Sequence, residues 1–110
     1  MADTKRELLE MAAKAVGKDI DPDRYDEDDG FAIRDMAHWW NPIDNDAHAM
    51  RLACTLEIDV IFRVVTTVRV EALAPGGPRI TAPYKGASKR AAAARLAITR
   101  VAAEKGKAMP

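Results

Sequence analysis

Apolar residues near the start of the chain recur at the spacing of one helical face. The tract Thr4-Lys5-Arg6-Glu7 has the capping-box pattern, in which the Thr hydroxyl accepts from a backbone N–H three residues on and the Glu reaches back. The apolar residues that follow at helical intervals are Leu8, Ala12, Ala15 and Val16. Gly17 suits the left-handed conformation that ends a helix. The pattern predicts a first helix over about residues 4–16.

A second helix is predicted after Asn41-Pro42, because a residue before proline is pushed to extended backbone. Asp44 is the expected N-cap, and Asp46 adds negative charge at the positive end of the helix dipole. One face then carries the apolar residues Ala49, Leu52, Ala53 and Leu56. This spacing predicts a helix over about residues 45–56.

From Ile58 onward, β-branched residues and a period of two indicate strand. Residues 58–71 are long for one strand, so both a single long strand and a hairpin near Thr66-Thr67 fit the pattern. Pro75-Gly76-Gly77-Pro78 predicts a turn, and Arg79–Ala82 predicts a returning strand that Pro83 limits to an edge or an end. Earlier in the chain, we expect a polar, acidic loop over residues 18–30 and a short strand at 31–33.

The last helix is predicted over about residues 89–104, with Ser88 as its N-cap and Gly106 as its stop. Its buried face is expected to consist of Ala94, Ala97, Ile98, Val101 and Ala102. Leu96 falls on the opposite face and is expected to be exposed. The elements therefore follow the order α-β-α-β-β-α, which predicts an α+β fold.

Length and composition favour one soluble globular domain over residues 1–110, because 48% of the residues are hydrophobic and 31% are charged. Cys54 is the single cysteine, which rules out an internal disulfide and fits a reducing compartment. We find neither a secretory signal nor a run of the ~18 apolar residues that a membrane span needs. We therefore expect a cytoplasmic protein that does not enter a membrane.

The net charge of zero conceals a difference between the two halves of the chain. Residues 1–50 hold 6 basic and 13 acidic residues, a net charge of −7, whereas residues 51–110 hold 11 basic and 4 acidic residues, a net charge of +7. Such a division predicts one of two arrangements. In the first, the folded protein has an acidic face and a separate basic face. In the second, the opposite charges of the two halves neutralise each other. Neutralisation could occur across the fold or head to tail between protomers, so the oligomeric state stays open.

Two tracts resemble the phage ABA sandwich domain, a family of small phage and prophage proteins. Residues 39–53, Trp-Trp-Asn-Pro-Ile-Asp-Asn-Asp-Ala-His-Ala-Met-Arg-Leu-Ala, resemble the family's Trp-Asn-Pro-Leu-Thr-Asp-Asp-Gly-Asp-Ala-Leu-Arg-Leu-Ala. Residues 95–106 are similar to its closing helix. Ile43, Asp44 and Ala47 depart from the family pattern. The resemblance implies a phage-encoded protein in the host cytoplasm, without an established biochemical activity. It also implies an antiparallel sheet of about three strands between helical layers.

The sequence does not indicate a metal site, a cofactor site or a catalytic site. The acidic loop fails the calcium-loop pattern, because placing Gly30 at position 6 puts Tyr25 at position 1 and Met36 at position 12. His38, His48 and Cys54 match no structural zinc spacing. The motifs of nucleotide-binding loops and of hydrolase nucleophiles are also missing. We therefore expect a protein that is not an enzyme.

Trp39 and Trp40 are the best candidates for a functional surface and its anchor. Neighbouring residues of an extended chain point in opposite directions, so one ring can enter the core while the other faces outward. Because the family keeps the Trp nearest Asn-Pro, we expect Trp40, Asn41 and Pro42 to form a structural anchor. Trp39 and Leu96 are then candidates for contact with a protein partner, which could be a second copy of the chain.

The basic tract at the start of the last helix suggests an alternative function. Its cations are Lys85, Lys89, Arg90 and Arg95, and they resemble the phosphate-binding helix start of double-stranded-RNA-binding domains. The chain lacks the Gly-Pro-x-His loop of those domains, and its net charge is zero. We therefore expect a non-enzymatic binding or accessory module, and nucleic-acid binding is the alternative.

Overall fold

The computed structural model describes residues 4–34, 38–63 and 69–110. Helices α1 and α2 span Lys5–Val16 and Asp46–Leu56, and α3 spans Arg90–Lys107. The strands are β1 (Ile20–Asp26), β2 (Gly30–Ile33), β3 (Trp39–Trp40), β4 (Asp59–Arg63), β5 (Arg69–Leu73) and β6 (Arg79–Pro83). A short 3-10 turn at Ala87–Lys89 precedes α3.

Helix α1 begins and ends as the sequence predicts. The Thr4 hydroxyl accepts a hydrogen bond from the Glu7 backbone N–H at 3.1 Å and donates one to the Glu7 carboxylate at 3.0 Å. Gly17 ends the helix in the left-handed region at φ 69°, and its N–H bonds back to the last turn. The helix buries Leu8, Leu9, Ala12 and Ala13.

The predicted loop over residues 18–30 is wrong, because residues 20–26 form strand β1. It pairs antiparallel with β2, and β2 pairs with the two-residue strand β3, giving the first sheet in the order β1-β2-β3. The acidic tract remains exposed because β1 is an edge strand. Gly30 lies at φ +85°, and a side chain there would overlap the carbonyl oxygen of Trp40. This close approach explains the glycine at the start of β2.

The two interpretations of residues 58–71 are resolved in favour of two strands. Strands β4 and β5 pair antiparallel from Asp59 opposite Leu73 to Arg63 opposite Arg69, and β6 completes the second sheet in the order β4-β5-β6. The predicted centre of the hairpin, Thr66-Thr67, lies outside the described residues. The turn at residues 75–78 is confirmed, and Pro83 ends the edge strand β6.

Helix α3 differs from its prediction at both ends. Ser88 lies in the 3-10 turn and is not the N-cap; Lys89 occupies that position and makes no side-chain capping bond. Gly106 does not stop the helix, which continues to Lys107. A Cβ atom at residue 106 would overlap the carbonyl oxygen of Met11, so this glycine allows α1 and α3 to pack closely.

The α+β class is confirmed, and the arrangement within it differs from the expected single sheet between helices. Among the described residues, the strands form two three-stranded antiparallel sheets. Helix α3 occupies the middle, because it packs on β5 and β6 and also on α1 and α2. Its residues Ala97, Val101, Ala102 and Ala103 are all fully buried. Within the described ranges, no helix is both long enough and apolar enough to cross a bilayer.

Candidate functional site

Asn41 organises the connection between β3 and α2. Its side-chain amide donates to the backbone oxygen of Asp28 and to the Asp44 carboxylate, both at 2.9 Å, and its side-chain oxygen accepts from the Asp44 N–H at 3.2 Å. Asn41, Pro42 and Trp40 are all buried. These are the three residues predicted to form a structural anchor.

Helix α2 begins one residue later than predicted. Asn45, not Asp44, is the N-cap, and its side-chain oxygen accepts from the His48 backbone N–H at 3.0 Å. The Asp44 carboxylate instead bonds to Lys5 at 2.5 Å. The hydrogen bond from Lys5 is the largest of the effects that lower the pKa of Asp44 below its usual value. Asp44 therefore links the α2 connection to α1.

A cleft of about 400 Å³ lies where the end of α1, strand β3 and helix α2 meet. Its apolar part comes from Val16, Ile33, Trp40 and Leu52, and its polar part from Lys18, His38, His48, Arg51 and Thr55. Trp39 completes the lining. A volume of this size is at the lower end of the ~300–1,000 Å³ usual for ligand sites.

Trp39 and Trp40 contribute to this cleft in different ways. Trp40 is 5% exposed and belongs to the core, whereas Trp39 is 38% exposed. This is the arrangement that alternation along an extended strand predicts. The guanidinium carbon of Arg24, on β1, lies 5.7 Å from the centroid of the Trp39 ring, within range of a cation–π contact. Trp39 thus presents an aromatic surface that a partner can reach.

His48 is half-buried. The Asn41 backbone N–H donates to its Nδ1 atom at 2.9 Å. Burial lowers the pKa of His48 below its ordinary value, and the nearby positive charges of Lys18 and Arg51 lower it further. The ring is therefore neutral at pH 7 and carries its proton on Nε2.

The charged groups that line the cleft are cationic. Within the described part of the chain, Lys18 and Arg51 make no ion pair, and no Asp or Glu lines the cleft. Asp19 follows Lys18 in sequence, but its carboxylate pairs with Arg34 at 3.2 Å. Among the described residues, the cleft lining therefore combines apolar surface with the positive charges of Lys18 and Arg51.

The other sequence-predicted contact residues lie apart from this cleft. Leu96 is half-buried, so the expected exposed face of α3 is only partly open. Lys85, Lys89 and Arg90 are exposed, and Arg90 donates to the Tyr84 hydroxyl at 3.0 Å. Arg95 donates to the backbone oxygen of Ile43 at 2.8 Å and contacts the Asp46 carboxylate at 2.6 Å. Arg95 therefore joins α3 to the start of α2.

The acidic tract is organised by local hydrogen bonds. The Asp26 carboxylate accepts from the backbone N–H groups of Asp28 and Asp29 at 2.8 and 3.0 Å.

Among the residues that the structure describes, no three His, Cys, Asp or Glu side chains cluster as a metal ion would require. Cys54 is exposed.

Comparison with family models, with curated proteins and with solved structures gives no match for this chain.

Sequence reasoning did not identify Lys18, His48 and Arg51 as members of one site. The signal available for α2 was the spacing of His48, Arg51, Leu52 and Thr55, which places these four residues on one helical face. Nothing in the sequence indicated that Lys18, immediately after the Gly17 cap, would lie near that face. The site depends on how α1 and α2 pack, and local periodicity does not specify this.

Proposed function

We propose that the protein is a non-enzymatic binding or accessory module of phage or prophage type, and that it binds a protein partner at the cleft beside Trp39. The observation that carries this proposal is a reachable Trp side chain on a concave, partly apolar surface. Trp is enriched among the residues that contribute most to protein interfaces. The phage origin rests on the resemblance of residues 39–53 and 95–106 to the phage ABA sandwich domain.

To test this proposal, the protein is immobilised and used to capture binding partners from lysates of phage-infected or lysogenic cells. Trp39→Ala should abolish capture of the partner, because it removes the exposed ring at the cleft. Met50→Ala is the matched control, since Met50 is 64% exposed on α2 and does not line the cleft. Circular dichroism of both variants checks that they fold. A partner captured equally by the wild type and both variants would place the binding surface elsewhere.

Nucleic-acid binding is the second candidate, favoured by the exposure of Lys85, Lys89 and Arg90 at the start of α3. It has less support, because Arg95 already contacts Ile43 and Asp46. We expect no measurable specific binding of duplex RNA at ~0.15 M salt. The joint change of Lys89 and Arg90 to Gln should shift stability by less than ~0.5 kcal/mol.

Gel shifts with duplex RNA at two salt concentrations test this second candidate. Phosphate contacts release counterions, so binding that depends on them weakens steeply with salt. Sub-micromolar binding that the Lys89/Arg90 double variant abolishes would favour nucleic acid over a protein partner. In that case the slope of log affinity against log salt should fall by about one unit for each lost contact.

A further inference from the structure

We infer that the cleft binds an acidic peptide segment, in which a carboxylate side chain and an apolar side chain lie two residues apart. This inference rests on the proposed function and specifies the chemistry of the partner. It follows from three properties of the cleft: the charge of its lining, the hydrogen-bond donors it offers, and its size.

The charge of the lining favours an anion. Lys18 and Arg51 line the cleft without an ion-pair partner among the described residues, whereas Lys5 and Arg95 are paired with Asp44 and Asp46. Arg24, which contacts the Trp39 ring, adds a further positive charge beside the cleft. Complementary charge on a partner increases both the rate and the specificity of association.

The hydrogen-bond donors of the cleft also suit a carboxylate. Arg51 and Lys18 offer charged N–H groups, and charge-assisted hydrogen bonds to carboxylates are stronger than neutral ones. His48 uses Nδ1 to accept from Asn41, which leaves its Nε2–H as a further donor. No described Asp or Glu side chain lines the cleft to compete for these groups.

The size and shape of the cleft indicate a short segment with both an acidic and an apolar side chain. A volume of about 400 Å³ has room for a few side chains, and Trp39 and Leu52 provide apolar surface within it. In an extended peptide, side chains at positions i and i+2 point to the same side and are about 7 Å apart. A peptide with an acidic and an apolar residue two positions apart can therefore present both side chains to the cleft.

The experiment is an NMR titration of the full ¹⁵N-labelled chain with capped peptides at millimolar concentration. The test peptide is acetyl-Glu-Ser-Phe-Ser-Glu-amide, and the controls replace both Glu residues by Gln or by Lys. The Glu peptide should shift the Trp39 indole N–H and the backbone N–H groups of Arg51 and Leu52. The Gln peptide should bind about fivefold more weakly, as expected for the loss of two exposed ion pairs.

Matched variants assign the charge preference to the cleft. Changing Lys18 and Arg51 to Gln should reduce binding of the Glu peptide to the level of the Gln peptide. Changing Lys85 and Lys89 to Gln removes the same charge at the start of α3, outside the cleft, and should leave binding unchanged. The wild-type preference for the Glu peptide should also diminish at higher salt, because exposed charges are screened.

Several outcomes would overturn the inference. Equal binding of all three peptides would show an apolar groove without preference for acid. Shifts confined to residues around Lys85 and Lys89 would indicate general attraction of anions to α3. Shifts that depend on protein concentration alone and vanish in the Lys18/Arg51 variant would identify a second copy of this chain as the occupant. The lack of any shift in the cleft would also count against it.

The inference and the proposed function can fail separately. If partner capture depends on Trp39 but survives the Lys18/Arg51 change, the cleft is a binding site whose partner is not acidic. If capture is independent of Trp39, the proposed function fails before the chemistry of the partner is considered.

Discussion

The two adjacent Trp residues differ in environment, and their substitutions should therefore differ in effect. Trp40→Ala should lower the free energy of unfolding by about 3–5 kcal/mol, because a buried aromatic ring leaves a large cavity. Trp39→Ala should cost less than half as much, since this ring is already partly in water. Urea denaturation measures both losses. Equal losses at the two positions would contradict the division of roles between anchor and contact surface.

His48 should make stability depend on pH near neutrality. Burial lowers the pKa of His48 in the folded state. The contribution of the neutral ring to the free energy of unfolding is therefore fully present above the ordinary histidine pKa of about 6.5. It is lost as the pH falls through the folded-state pKa. Protonation at Nδ1 would also break the bond from the Asn41 N–H. The contribution of Asp44, whose pKa is lowered by Lys5, is lost only in a more acidic range.

Urea denaturation of the wild type and of His48→Gln at pH values from about 7.5 to about 5 tests this prediction. The Gln side chain offers an oxygen to the Asn41 N–H but does not titrate, so the decline in stability should become shallower. His38→Gln is the control, because it removes an exposed imidazole that also lines the cleft. If the decline were unchanged in His48→Gln, another group would be responsible.

The helix cap at Asn45 shows how far single residues can be predicted. Asp44 and Asn45 both have side chains suited to an N-cap, and they are adjacent. The choice between them depends on Lys5 and Asn41, which bond to the Asp44 carboxylate. Because Lys5 lies 39 residues away in sequence, local preference could not decide between the two.

The elements with clear apolar periodicity were predictable, whereas the acidic strand β1 was not. Helices α1 and α2 follow their hydrophobic faces to within one residue at each end. In β1, Asp21, Pro22 and Asp23 are all residue types depleted in strands, and only Ile20 and Tyr25 are apolar. The strand forms because β2 provides its pairing partner, and its exposed position at the edge tolerates charge and proline.

The contact between α1 and α3 makes Gly106 sensitive to substitution. Alanine favours helix over glycine by about 1 kcal/mol, so local propensity predicts that Gly106→Ala stabilises α3. Overlap of the added Cβ with the backbone of Met11 should reverse this and cost about 1–3 kcal/mol. Urea denaturation gives the sign of the change.

Ala92→Gly, at an exposed position of α3, is the control for helix propensity and should lower stability by about 1 kcal/mol. A stabilising effect of Gly106→Ala would show that the two helices can separate at little cost.

At the scale of the whole molecule, the charge of a sequence segment does not determine the charge of a site. Residues 1–50 carry a net charge of −7, yet a cleft built from residues between 16 and 55 has a cationic lining. None of the described acidic residues of this segment lines the cleft. The α+β class could be predicted from the order of elements, whereas the two sheets and the cleft depend on packing between distant segments.

The pairing of α1 with α3 also has a consequence for synthesis on the ribosome. Arg90 follows Val16 by 74 residues, so α1 emerges long before the helix on which it packs. Until then Leu9 and Ala12, which are fully buried in the folded protein, lack their final environment. Nascent chains should therefore remain sensitive to protease and available to chaperones until residues 90–107 have emerged. The core is completed only after this last helix has been made, however early the other elements form.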